Sequence, residues 1–263
     1  MRMDARRPAR TLLGRVGDTT FLTRLASFGV KEVALLLSAS AHGKPFDPAA
    51  VAPLLKKSLD AAKAAGLTVQ VEGLNEWDLF NGRSYNAGVL PSGMTASAFV
   101  LYTQKALYEA AHPLGVTVLG PSVGHPNDPT SLAFFPDVSA YVDIVNMHLY
   151  FPADPASLPI ATRVADHQHF QGAGKPLWVT ETGISSYGTV IAAQQADVIR
   201  GLDVFATSKS IARAYIYELL EDQKPGATGT YVPDSAEYHF GLFTFDGTAK
   251  PAAKAFTDFQ VAP

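Results

Sequence analysis

The chain contains no cysteine, so neither disulfides nor thiolate chemistry can contribute to its fold or function. No apolar run approaches the ~18 residues that a membrane-spanning helix requires, and no membrane partner is expected. The formal net charge is only −3, without the basic face that phosphate backbones demand, so nucleic acid is not an expected partner either. Short repeats and low-complexity tracts are absent, which excludes solenoids and arrays. The N-terminus, Met1 to Arg10, is basic through Arg2, Arg6, Arg7 and Arg10, but no apolar signal-peptide core follows those charges. Residues 1–18 therefore read as a basic tail or as the remnant of earlier strands.

What is present suits one large α/β domain over residues 19–263, with 47% hydrophobic and 17% charged residues in a chain of 263. Helical spacing marks Thr19 to Phe28, Thr95 to His112, Val190 to Phe205 and Pro251 to Phe259, with a weaker pattern over Leu158 to Gln171. Asp47-Pro48 caps a further helix that Gly66 closes. Between them lie short apolar runs: Val33 to Leu37, Thr68 to Leu74, Val116 to Leu119, Val142 to Tyr150, Leu177 to Thr180 and Ile211 to Tyr217. Strict alternation of strand and helix implies a parallel sheet with right-handed crossovers. Eight strands close a (β/α)8 barrel, so these six leave the N-terminal end short, with Arg10 to Val16 as a candidate for one more.

Strand parity separates the side chains that meet the helices from those that converge inside. Val69, Val71, Val145, Met147, Ala214 and Ile216 fit the outward face. That leaves Gln70, Glu72 and Glu76, then Asn146, His148 and Tyr150, then Arg213, Tyr215 and Tyr217 pointing inward. Barrel interiors are ordinarily filled with branched aliphatic residues, so this polar and aromatic set marks a site. A buried Glu72 needs a partner, and Arg213 is the expected one.

Two carboxylates stand at strand ends: Glu76 in Gly73-Leu74-Asn75-Glu76-Trp77-Asp78, and Glu181 in Pro176-Leu177-Trp178-Val179-Thr180-Glu181-Thr182-Gly183. The Asn-Glu pair, the Thr-Glu-Thr-Gly run and their separation by three strands resemble the clan A (β/α)8 glycoside hydrolases, in particular cellulase-like and family 39-like bacterial members. The segments Asn146 to Tyr150, Tyr238 to Phe243 and Asp246 to Pro251 add to that resemblance. It implies a TIM barrel whose strands 3–8 are present, strands 1–2 being missing or degenerate. It also implies a retaining hydrolase of O-glycosidic bonds, with Glu76 as acid/base and Glu181 as nucleophile. Asn75, His148, Tyr150, Trp77 and Tyr217 are the implied substrate contacts, and Phe80 and Phe151 are further apolar faces for a sugar ring. The expected partner is a carbohydrate, with no cofactor and no metal, and a partner chain is expected to cover the open barrel edge. The resemblance suggests secretion, although no signal peptide is visible.

Other motifs in the chain carry weaker signals. Gly120-Pro121-Ser122-Val123-Gly124 matches a serine-hydrolase elbow, but Pro126 and Pro129 follow where that motif needs an immediate helix. His167 and His169 lack an evident third metal ligand and read as loop or helix surface. Trp178 is expected in the core, and Glu218 at the barrel rim. The competing function is a non-catalytic carbohydrate-binding or scaffold protein with a truncated barrel, since fold alone does not confer activity.

Overall fold

A computed structural model describes residues 8–12, 19–37, 46–80, 90–151, 159–187, 192–200, 202, 205, 208, 210–221, 236–244 and 246–261. Its strands are β1 (Pro8–Leu12), β2 (Glu32–Leu37), β3 (Thr68–Leu74), β4 (Thr117–Leu119), β5 (Val145–His148), β6 (Leu177–Thr182) and β7 (Ile211–Ile216). The helices are α1 (Thr19–Ser27), α2 (Val51–Ala64), α3 (Trp77–Phe80), α4 (Ala96–Ala111), α5 (Pro129–Phe134), α6 (Ile160–Gln171), α7 (Ala192–Arg200) and α8 (Pro251–Val261). The chain divides into two compact units, one of residues 4–148 and 161–178, the other built mainly from 149–160 and 179–263.

In the first unit β1, β2, β3 and β4 are parallel neighbours in that order, with Ala9 opposite Val33, Val33 opposite Val69 and Val71 opposite Val118. The sheet continues through a bridge between Leu119 and Ile144, and Val145 N donates to Pro176 O at 2.8 Å where β6 begins. All six residues of β2 are buried, as a parallel strand covered on both faces requires. Leu22 from α1, Leu55 from α2, and Phe99 and Leu107 from α4 pack against Val33, Leu35, Val71 and Val118 in one core. The helix starts follow from local chemistry. Asp47 accepts from Ala49 N at 2.9 Å ahead of α2, and Thr95 Oγ1 accepts from Ala98 N at 3.1 Å at the head of α4.

Of the two readings of the N-terminus, the strand remnant is the one with structure behind it: Pro8–Leu12 pairs with β2 and overlaps the Arg10 to Val16 candidate over residues 10–12. The outermost strand of that sheet is therefore β1 rather than β2. The stretch behind Gly124 is a loop through Asp128, and α5 begins at Pro129. Pro129 takes the first turn of α5, where its missing N–H costs nothing, and Asp128 caps the helix by accepting from Thr130 N at 2.8 Å.

In the second unit the end of β6 runs beside β7 in the three-stranded sheet, and Tyr217 N donates to Thr182 O at 2.8 Å just beyond β7. Its core holds Val179, Val198, Ile199, Leu202, Phe205, Ile211 and Leu242, with Ala252 and Ala255 of α8. Seven strands are present among the described residues, alternating with helices as in part of a (β/α)8 barrel. No described helix is long and apolar enough to cross a membrane.

Candidate active site

Glu76 follows the last residues of β3 in a conformation few residues adopt. Its φ is +46°, in the left-handed region that a non-glycine residue enters at a cost of roughly 1–3 kcal/mol. The neighbouring loop holds it there. Glu76 N donates to Ser122 O at 3.1 Å and also approaches Ser122 Oγ at 3.2 Å, while Ser122 N donates back to Leu74 O at 3.0 Å. Two residues on, the Asp78 carboxylate accepts from Gly124 N at 2.9 Å and His125 N at 3.0 Å. A side chain at Gly124 would lie 2.3 Å from Leu79 Cγ, so only glycine permits this approach of the loop to α3. The Gly120-to-Gly124 run is thus a clamp on the Glu76 segment. Ser122 is fully buried, and no helix starts behind it, which removes the elbow reading.

The side chains then build inward from Glu76. Its Oε1 lies 2.7 Å from His148 Nδ1, and the far side of the imidazole, Nε2, is 3.9 Å from Glu72 Oε1. Glu72 accepts from Asn146 Nδ2 at 2.9 Å, and the same amide donates to Gly120 O at 3.1 Å. Glu72, Asn146 and His148 are essentially solvent-free, whereas the Glu76 side chain keeps 15% exposure. His148 therefore sits between a buried carboxylate 3.9 Å from one ring nitrogen and a partly open one hydrogen-bonded to the other. Gln171 supports it from the end of α6. Its Oε1 accepts from Asn146 N at 2.7 Å and its Nε2 donates to Asn146 O at 2.8 Å, standing in for a neighbouring strand.

Glu181 lies near the end of β6 in the second unit, buried to 7% exposure. Tyr150 Oη donates to Glu181 Oε2, and Leu149 N donates to Glu181 O at 3.0 Å. Around this phenol stand Phe240 at 5.3 Å and Tyr217 at 6.1 Å between ring centroids, with Tyr217 and Phe240 themselves 5.4 Å apart. These are edge-on contacts of the kind that aromatic rings favour.

The structure sorts the other expected residues. Asn75 is half-buried beside Glu76. Trp77 is a core residue rather than a sugar platform: it is 4% exposed, packs tilted against Phe99 at 5.0 Å and donates through Nε1 to Ala96 O. Phe151 is likewise committed to packing, against Phe205 at 5.2 Å. The Phe80 side chain lies outside the described residues. Arg213 lies in the second unit, where its Nη1 donates to Tyr215 Oη at 3.4 Å. Trp178 is in the core as expected. His167 is not on a helix surface but wholly buried in α6, with Nδ1 donating to Arg163 O at 2.8 Å. Burial pushes its imidazole down to about 4. His169, two residues on, faces a different side of the helix.

Three contributors escaped the sequence reading. Phe240 lay in a run noted only for its likeness to a closing segment. Gln171 and Gln104 are buried amides on helix faces; Gln104 Nε2 donates to Leu119 O at 3.2 Å and Tyr141 O at 2.9 Å, fixing the end of β4, and it could have been found because it falls in the apolar stripe of α4 with Val100 and Leu107.

The fold is similar to that of solved glycoside hydrolases. A GH5_18 protein from Bifidobacterium longum subsp. infantis superposes with a TM-score of 0.59 at 14% identity, covering 93% of this chain and 72% of its own. GH5_18 from Streptomyces cattleya, in complex with GlcNAc, gives 0.58 at 17% identity, covering 99% and 82%. A family 39 glycoside hydrolase from Bacteroides cellulosilyticus WH2 gives 0.54 at 16%, covering 97% and 63%. No protein-family model and no curated protein sequence matches the chain. At these identities the likeness establishes the fold.

Proposed function

We propose that the chain hydrolyses an O-glycosidic bond by a retaining double displacement, with Glu76 as acid/base and Glu181 as nucleophile. The observation that carries the reading is the different partner each strand-end carboxylate has: an imidazole for Glu76, a phenol for Glu181. A phenol beside a carboxylate is a hydrogen-bond donor at neutral pH, which suits a group that must attack as an anion. An imidazole can give or take a proton, which suits a group that must donate one and later recover it. The buried Glu72 carboxylate, held by Asn146 and 3.9 Å from Nε2, favours a proton on that far side of the ring.

In the first step Glu181 attacks the anomeric carbon while Glu76 protonates the departing oxygen. In the second, Glu76 takes a proton from water, which displaces Glu181 from the glycosyl intermediate. The mechanism requires the carboxyls to stand ~5–5.5 Å apart across the bond. Asn75 is assigned to the sugar 2-hydroxyl, and Tyr217 to an apolar face of the ring. The sugar-bound GH5_18 relatives, in complex with GlcNAc or Manβ1-4GlcNAc, support a carbohydrate as the substrate class.

The test is trapping with activated 2-fluoro glycosides followed by peptide mapping, together with hydrolysis of a panel of aryl glycosides. An adduct on Glu181, with turnover abolished by Glu181→Gln, is expected. Wild-type turnover no higher than that of the variant would leave a sugar-binding protein without chemistry and sink the proposal.

A further inference from the structure

We infer that Arg163 Nε and His167 Nε2, one turn apart on the buried side of α6, bind a single sequestered water that bridges them. The site goes beyond the proposed hydrolysis and stands whether or not Glu76 and Glu181 cleave a sugar. Both atoms are buried, and among the described residues neither has a hydrogen-bond partner. Residues four apart on a helix are neighbours on one face, so the two side chains share their surroundings. Buried polar atoms in folded proteins almost always find a partner, in the protein or in an ordered water.

The chemistry of the two atoms selects the occupant. A carbonyl only accepts, so His167 Nδ1, 2.8 Å from Arg163 O, carries the ring proton. Burial keeps the imidazole neutral at pH 7, which leaves Nε2 with a bare lone pair. Arg163 Nε carries a hydrogen and can only donate. A ligand that meets both must therefore give one hydrogen bond and take another. A cation is turned away by the guanidinium, and an anion by the Nε2 lone pair. An apolar molecule would leave both atoms unpaired. His167 is wholly buried and the Arg163 side chain only 14% exposed, so a small neutral molecule is required. Water fits: it donates to Nε2, accepts from Nε and so has the two polar partners that a buried water needs.

The bridge completes a joint between α6 and the loop behind Gly124. Arg163 Nη1 donates to Pro126 O in that loop and to Asp166 Oδ2 at 3.0 Å. With the water on Nε, the planar guanidinium is held at Nη1 by the protein and at Nε through His167. The same loop supplies the Gly124 and His125 amides that bind Asp78, two residues from Glu76. On the other side of the His167 ring Phe170 packs at 5.8 Å between centroids, an apolar neighbour with no hydrogen bond to offer.

A high-resolution crystal structure of the wild type tests the site directly. One water within about 3.2 Å of both His167 Nε2 and Arg163 Nε is expected. Density for no water there, or for waters that touch only one of the two atoms, overturns the bridge. In solution, oxygen-17 relaxation dispersion counts long-lived internal waters. His167→Phe keeps an aromatic ring but offers no acceptor, so it should lose one such water, and an unchanged count overturns the bridge. Nitrogen-15 spectra of histidine-labelled wild type need no variant that might fail to fold. There His167 Nε2 should be shifted upfield from a bare acceptor nitrogen, with a cross-peak from the ring to water. A nitrogen at the bare-acceptor position, or a ring without that cross-peak, overturns the site.

Discussion

Replacing Gly120 with alanine places a methyl carbon 1.9 Å from Gln171 Oε1 and 2.6 Å from its Cδ. The Gln171 amide is fully buried and must retreat by roughly 1.5 Å to leave ordinary contact. That retreat breaks the bonds it makes to Asn146 N at 2.7 Å and Asn146 O at 2.8 Å, and loosens its donation to Pro121 O at 3.2 Å. A buried backbone group left without a partner costs about 1–3 kcal/mol, so two of them cost about 2–6 kcal/mol. Against this, Gly120 does not occupy the left-handed region, so alanine gains about 0.4–1 kcal/mol from the unfolded chain. The net expectation is a loss of about 1–5.6 kcal/mol. Urea unfolding followed by fluorescence of the buried Trp77 and Trp178 measures it, with the slope checked for constancy between variants. The decisive comparison is a double-mutant cycle with Gln171→Ala. Once the amide is gone the alanine at 120 has nothing to strike, and its cost should fall to near zero. A Gly120→Ala variant within about 1 kcal/mol of wild type, or one equally costly in both backgrounds, would refute the reasoning.

Other perturbations follow from the same geometry. His167 is neutral in the fold and its value is depressed to about 4, below the usual 6.5. Its contribution is therefore present above pH 6.5 and is lost as pH falls from there toward 4, by roughly 3 kcal/mol in all. His167→Leu should flatten that part of a stability-against-pH curve, and an unchanged slope would contradict the burial argument. Asp78→Ala leaves Gly124 N and His125 N without their acceptor and should lower stability by about 2–4 kcal/mol; under the proposed mechanism it also lowers kcat on aryl glycosides, because the clamp around Glu76 loosens. Lys250→Met abandons Glu221, whose side chain is only 11% exposed, at a cost of about 3–5 kcal/mol. Thermal unfolding tests that cost, and Lys250→Met with Glu221→Gln should recover part of it.

Most of the fold was legible because its signals are local. The run from Val33 to Leu37 is apolar on both faces, and only a covered parallel strand uses such a run. The caps at Asp47 and Thr95 are likewise short-range chemistry. Strand β1 was misplaced because Pro-Ala-Arg-Thr-Leu carries neither alternation nor a sustained apolar run, and its strand character comes from pairing with β2. Parity correctly gathered Glu72, Asn146 and His148, since the period of a strand is two. It could not say that Trp77 would fold back onto Phe99, because beyond the strand end a left-handed residue and a helical turn replace the alternation. The same limit hid Phe240, whose placement depends on an irregular segment held by Gln195 and Lys250.

The backbone angle at Glu76 bears on how such a site would decay. A positive φ is a position that glycine or asparagine fills with less strain, so stability alone pulls against a glutamate there. A lineage released from the need for a carboxylate would gain stability by giving it up. In descendants that have ceased to hydrolyse glycosides, residue 76 should be among the first to drift, and toward glycine or asparagine. Glu181, on an ordinary strand with its carboxylate bound to Tyr150, has no such incentive and should persist longer. The order in which the two acids disappear would then record which was under strain.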